Sequence, residues 1–193
     1  MLRNSHTSYG TVAIVLHWTI ALLFSGQIAL GFLTQAVADR PRLQFDLYQW
    51  HKSFGFLLLA LAMTRFAWSL SGIRPLPLAE MPRWEAAAAR TAHRLLLTLT
   101  VIVPFAGWMI ASTSPLHIPS FAFDLVLVPD LPLERSDAIE AFWSRTHATL
   151  AYGAALLALA HAGTAIHHHL IRGDHTLVRM LGARVGRAQR HSQ

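Results

Sequence analysis

The sequence predicts an all-α integral membrane protein, a four-transmembrane-helix bundle with both termini cytoplasmic. Three observations carry that expectation. Of 193 residues, 53% are hydrophobic and only 13% charged, where an ordinary soluble domain carries about 25% charged residues; the mean hydropathy is +0.38. The apolar residues are gathered into four long runs instead of being spread evenly. Histidines interrupt those runs at matched depths. The formal charge of +6 comes from basic residues that flank the runs and crowd the C-terminus, which is how membrane topology signals look. No basic–aromatic interleaving supports a nucleic-acid surface, so nucleic acid is excluded as a partner. The absence of cysteine excludes disulfides, thiolate-held clusters and thioether-linked cofactors.

The elements follow in order. After a polar N-terminal segment, the first span covers about 12–33, interrupted by His17, Trp18, Ser25, Gly26 and Gln27. It is too long for a cleaved signal peptide and lacks a small-residue cleavage site, so it is expected to stay in the mature chain. A connector with Asp39, Arg40, Pro41, Arg42 and Asp46 leads to the second span, about 50–70, which has His51 and Lys52 at its entrance and Arg65 near its exit. The next connector is marked by Pro75, Pro77 and Pro82; an alanine run at 86–89 then opens the third span, about 92–111, which contains Pro104. A kink is expected there, since neighbouring helices tolerate one in a membrane. The longest connector, 112–141, is rich in proline and aromatic residues and too interrupted to span. The fourth span, about 142–170, precedes an arginine-rich tail. No internal repeat appears, and residues 1–193 are read as a single domain.

Arginine placement sets the expected orientation. Arg74, Arg83, Arg90 and Arg94 cluster around the second connector, and Arg172, Arg179, Arg184, Arg187 and Arg190 lie in the tail. The third connector instead holds Asp124, Asp130, Glu134, Asp137 and Glu140 beside Arg135 and Arg145. The termini and the second connector are therefore expected in the cytoplasm, with the first and third connectors periplasmic, in a multi-pass protein of the bacterial inner membrane.

Orientation converts histidine positions into depths. His147 and His161 lie fourteen residues apart, a helical rise of about 21 Å that returns the second ring to within roughly 40° of the first. In a hydrocarbon core about 30 Å thick, one lies near each surface. His17 falls at the cytoplasmic end of the first span and His51 at the periplasmic end of the second. The four pair by depth as His17 with His161 and His51 with His147. Ionisable residues at membrane depth need a partner or a ligand. Zinc wants more than two ligands at one level, and no Cys, Asp or Glu completes such a site inside the spans. Two imidazoles facing each other across a bundle core are the ligand set of a low-spin b-type haem. The expectation is two non-covalent b haems stacked across the bilayer, with these four histidines as iron ligands.

Other residues are candidates around that core. Arg65, fourteen residues past His51, either snorkels to the interface or pairs with haem propionates. Lys52, the only lysine, either anchors the interface, neutralises a propionate, attracts an anionic donor or hands a proton to a quinone. His93 is read as an interfacial residue or as a propionate or quinone contact, and His117 is equally open. Consecutive residues His167, His168 and His169 point about 100° apart and cannot share one ion; a contact from His168 to a cytoplasmic-side propionate is expected. His6, His175 and His191 read as solvated. Gly26, Gly31, Gly55, Gly107, Gly153 and Gly163 suit close helix packing or a flat macrocycle. Trp50, Trp68, Trp108 and Trp143 suit an interfacial belt.

These residues, taken together, resemble the bacterial di-haem cytochrome b561 family over nearly the whole chain. The matching pieces are Tyr9-Gly10, His17-Trp18, His51-Lys52-Ser53 with Gly55, Arg65, His93, the connector from Ile110-Ala111-Ser112 to Phe121, His147 with His161, and the closing His168-His169 and Asp174-His175-Thr176-Leu177-Val178-Arg179-Met180. The resemblance implies His17, His51, His147 and His161 as axial ligands, in agreement with the pairing by depth. It also implies an electron carrier between the periplasmic side and the quinone pool, and one branch is described as oxidising superoxide with ubiquinone as acceptor. The expected function is quinone-linked electron transfer, with Lys52 and His117 as candidates for the exchange site and a periplasmic redox partner. The alternative is a membrane-anchor subunit passing electrons for a larger dehydrogenase or reductase. A haem-free metal transporter is the third reading.

Overall fold

The computed structural model describes residues 1–6, 8–71, 82–173 and 176–182. Arg74, Pro75, Pro77, Asp174, His175, Arg184, Arg187, Arg190 and His191, all used above, lie outside the described residues. Four long helices carry the chain: α1 Thr11–Ala36, α2 Pro41–Ser71, α3 Arg83–Thr113 and α4 Asp137–Leu170. All four are long and apolar enough to cross a membrane. A short strand pair, β1 Ser120–Ala122 and β2 Val126–Val128, lies between α3 and α4, and a short helix α5, Thr176–Met180, follows α4.

Each helix outruns the apolar segment that predicted it. Pro41 opens α2, a position where its missing N–H is harmless and its fixed φ already helical. Helix formers Ala86–Ala89 carry α3 back to Arg83. Ser136 caps α4 by accepting from the Ile139 N–H, with Asp137 and Glu140 in the first turn, where carboxylates suit the positive end of the helix dipole. At 34 residues, α4 is about 51 Å long at 1.5 Å per residue. Helix α3 remains one helix through Pro104.

The bundle is inside-out compared with a soluble one. Its core is small and apolar, built from Ile20, Phe24, Leu58, Val103 and Ala154, while Gln27, Thr34, Ser53, Ser112 and Thr113 are also buried. Large apolar side chains such as Leu22, Leu156 and Leu159 face outward. In lipid, apolar residues gain nothing by facing inward, and the buried hydroxyls are satisfied within the bundle. Ser112 and Thr113, for example, bond back to the Trp108 and Met109 carbonyls.

Helices adjacent in the chain are adjacent in space: α1 packs on α2, α2 on α3, and α3 most closely on α4, whereas α1 and α4 touch only lightly. The ends of the bundle are therefore distinct. One end carries the β1–β2 hairpin. The other carries the N-terminal segment and α5, joined where the Trp18 indole N–H donates to the Met180 carbonyl at 2.8 Å and the Arg179 guanidinium sits over the Tyr9 ring.

The candidate imidazole pairs

The structure brings the four predicted histidines together as two pairs, one toward each end. At the hairpin end, the His51 and His147 rings have centroids 6.1 Å apart and planes at 79°. At the terminal end, His17 and His161 are 6.4 Å apart with planes at 83°. Two imidazoles bound to one metal atom from opposite sides, with metal–nitrogen bonds of about 2 Å and about 1.1 Å from nitrogen to ring centre, have centroids about 6.2 Å apart. Both spacings leave room for one such atom between the rings.

The hairpin-end pair draws on all four long helices. The ring Nδ1 of His147 lies 2.9 Å from the Val103 carbonyl of α3. A carbonyl only accepts, so Nδ1 carries the proton and Nε2 keeps its lone pair, the tautomer that a metal-ligating histidine shows. Gly107, one turn beyond Val103, makes the approach possible: a Cβ there would lie 3.3 Å from His147 Cε1 and 3.4 Å from Nδ1. A Cβ at Gly31 would lie 3.6 Å from His51 Cε1, an ordinary contact. The Gln27 amide of α1 donates to the His51 carbonyl at 3.0 Å. Lys52, next to His51, points its ammonium toward Ser120 Oγ at 3.5 Å and lies within electrostatic reach of Asp130.

The terminal-end pair has more company. His93 of α3 places its ring 4.9 Å from that of His161, so three imidazoles from three helices meet there. The guanidinium of Arg65, from α2, lies within electrostatic reach of His17, His93 and His161. His168 is buried lower on α4, and with His167 it faces Glu85 electrostatically. Glu85 in turn accepts both guanidinium nitrogens of Arg172, at 2.5 and 2.9 Å.

Other predicted residues stand elsewhere. His117 is exposed, in a left-handed conformation, and its ring contacts Arg135, which also binds Asp130 at 2.7 Å; its contact is thus not with the His51–His147 pair. Close helix packing is not found at Gly26, Gly153 and Gly163, where the space beside each Cα is open. The sequence reading passed over two contributors. Gln27 was visible as the one amide in an apolar run, but the Val103 carbonyl carried no sequence signal at all.

Chemically, each pair can grip a flat, metal-centred ring from both faces. The buried Nδ1 atoms of His17 and His51 have no hydrogen-bond partner among the described residues, so neither of these rings is fixed by the kind of hydrogen bond that orients His147. Among the described residues no three His, Cys, Asp or Glu side chains are placed to hold one metal ion together, so the pairs suit a prosthetic group that needs two protein ligands.

Comparison with known proteins agrees with that chemistry. The family model described as prokaryotic cytochrome b561 matches residues 8–183. Among curated relatives, cytochrome b561 homolog 2 of Escherichia coli K12 is 29% identical over 181 residues, covering 93% of this chain and 94% of the relative. Cytochrome b561 homolog 1 of the same organism is 27% identical over 186 residues, covering 91% of this chain and 98% of the relative. The family implies haem b, and the paired imidazoles, the fixed tautomer of His147 and the glycine beside it fit that group. The chain thus belongs to the prokaryotic cytochrome b561 family, as a multi-pass bacterial membrane protein of electron transfer.

Proposed function

We propose that this chain is a di-haem b-type cytochrome of the cytoplasmic membrane, carrying single electrons between a periplasmic-side donor or acceptor and the quinone pool. The observation that carries the reading is the pair of imidazole pairs: 6.1 Å apart at one end of the bundle and 6.4 Å at the other. His51 and His147 ligate one haem, His17 and His161 the other. Bound haem supplies the one-electron chemistry; the chain's residues place and tune it. Val103 orients His147, and Gln27 fastens α1 to the carbonyl of His51. Arg65 and Lys52 each set a cation beside one pair, where a propionate carboxylate is the natural partner. His168 is the further candidate for a propionate contact at the terminal end. Both termini face the cytoplasm, so the hairpin end is periplasmic; the arginine distribution supports this side assignment.

The test is a pyridine haemochrome assay with a dithionite-reduced minus oxidised spectrum of the purified protein. Two b haems per chain with a low-spin α band are expected. One haem would overturn the pairing, and none in a folded preparation would overturn the cytochrome assignment of these sites. Quinone exchange is checked separately, by adding quinol analogues to the oxidised protein and following haem reduction without any partner subunit.

A further inference from the structure

The β1–β2 hairpin is a surface that neither the helices nor the histidine sites explain. Its strands pair Ser120 with Val128, Phe121 with Leu127 and Ala122 with Val126. The turn closes with the Leu125 N–H on the Ala122 carbonyl at 3.1 Å, and its two central residues, Phe123 and Asp124, have φ of 56° and 57°. Positive φ at both central positions is what a type I′ turn requires, and such a turn normally takes Asn-Gly. A phenylalanine there is strained unless its surroundings hold it.

What holds it is α2. The hydroxyl of Ser53 accepts the Phe123 N–H at 3.0 Å, and its one proton is shared between the Gln49 carbonyl of its own helix at 2.9 Å and the Phe121 carbonyl of β1 at 3.1 Å, so one side chain ties the hairpin's backbone to α2. The Phe123 ring packs edge-on against Phe54 at 5.2 Å and Trp50 at 6.3 Å. The anchor points Trp50, Ser53 and Phe54 form the first turn of the apolar run of α2, where water thins out. An open hairpin edge is tolerable at that depth only when its polar groups are paired.

The end of the turn and the start of β2 are apolar and uncovered. Leu125, Val126 and Leu127 are 85%, 61% and 58% exposed, in a stretch, 118–129, whose only charge is Asp124. In water such a patch lacks an explanation. The half-exposed Trp50 stands beside the turn, its ring 6.3 Å from that of Phe123, where an interfacial aromatic would stand.

We propose that the β1–β2 hairpin is an interfacial lipid anchor: Leu125, Val126 and Leu127 insert at the headgroup–acyl boundary of the leaflet on the hairpin end. The connector is thereby fixed from two sides, by Ser53 within the bundle and by lipid outside it. The inference needs only a membrane-embedded bundle and stands apart from the haem assignment.

The chain has no cysteine, so single-cysteine variants report without background. Leu125→Cys, Leu127→Cys and, as a solvated comparator on the same connector, Glu134→Cys are spin-labelled and placed in phosphatidylethanolamine–phosphatidylglycerol vesicles. Val126→Cys replaces any variant that does not fold. Oxygen partitions into lipid and a nickel chelate into water. The ratio of oxygen to nickel accessibility is expected to be several-fold higher at 125 and 127 than at 134. Equal ratios at all three would overturn the proposal in favour of a solvated tip. Labels at 125 and 127 that are immobilised, reached by neither probe and broadened by spin–spin coupling would overturn it in favour of a second copy of the chain on this surface.

Discussion

The two ends of the bundle solve the same problem differently. At the hairpin end, two imidazoles meet and each surrounding contact is specific: a carbonyl fixes one ring's tautomer, a glycine makes the space, and Gln27 ties the neighbouring helix to the ligand backbone. At the terminal end, three imidazoles and a guanidinium gather, and neither ring of the pair has a carbonyl contact like that of His147; the Nδ1 of His17, like that of His51 at the other end, is buried without a partner among the described residues. Closure there comes instead from segments far apart in the chain, through Trp18 with Met180 and Glu85 with Arg172. The hairpin end is thus preorganised by first neighbours, whereas the terminal end is held by long-range straps and has an imidazole to spare. Preorganisation should make a site intolerant of small changes, and redundancy should make it forgiving.

The harshest way to break this comparison is to remove one ligand from each end. His147→Ala is expected to abolish haem binding at the hairpin end and leave one haem per chain. His161→Ala removes the imidazole shared by both ring contacts of the terminal end and is expected to leave the other haem. Haemochrome stoichiometry, with circular dichroism to confirm the helices, checks both. Loss of both haems from either variant in a folded protein would show that the ends are not independent sites.

A gentler pair of changes tests preorganisation itself. In Gly107→Ala the new methyl would press on the His147 ring at 3.3 Å, with α3 and α4 packed too closely to yield easily. Overpacking of this kind costs about 1–3 kcal/mol, which corresponds to roughly five- to 150-fold weaker retention of the hairpin-end haem. Gly31→Ala adds its methyl at 3.6 Å from His51, ordinary contact distance, and should retain both haems. Haem retention during detergent dilution distinguishes them; equal loss from both would mean that the crowding at Gly107 does not matter.

How much of this was legible in the sequence differs between the same two regions. Long apolar runs made the four helices plain, and fourteen-residue spacing on one helix made the histidine depths plain, because helical geometry is local and regular. Helix ends were less so: Pro41, the alanines before His93 and Ser136 extend helices beyond the hydrocarbon, where hydropathy has no voice. The hairpin escaped notice because its strands have three residues each and its turn uses Phe-Asp without the glycine that usually marks one. His93 was left ambiguous because its approach to His161 depends on how α3 is rotated against α4, a tertiary fact. The Val103 carbonyl was beyond reach for a simpler reason: every residue has one.

Charge beside the two pairs offers the finest test. A cation near a haem stabilises the added electron, so removing it lowers the reduction potential. Arg65 lies in electrostatic reach of all three terminal-end imidazoles and is mostly enclosed by the bundle, where screening is weak. Arg65→Met should therefore lower the potential of the terminal-end haem, by on the order of 60 mV, a tenfold change in a one-electron equilibrium. Lys52 shares its field with Asp130 and Ser120 and stands nearer to water. Lys52→Met should lower the hairpin-end potential by less, on the order of 20 mV. Spectroelectrochemical titration of each variant, resolved into two one-electron components, reads both shifts. Because each substitution adjoins only one pair, the other component should hold still. A shift of both components together would mean that the cations act through the whole bundle, and the contrast between its two ends would then be structural only.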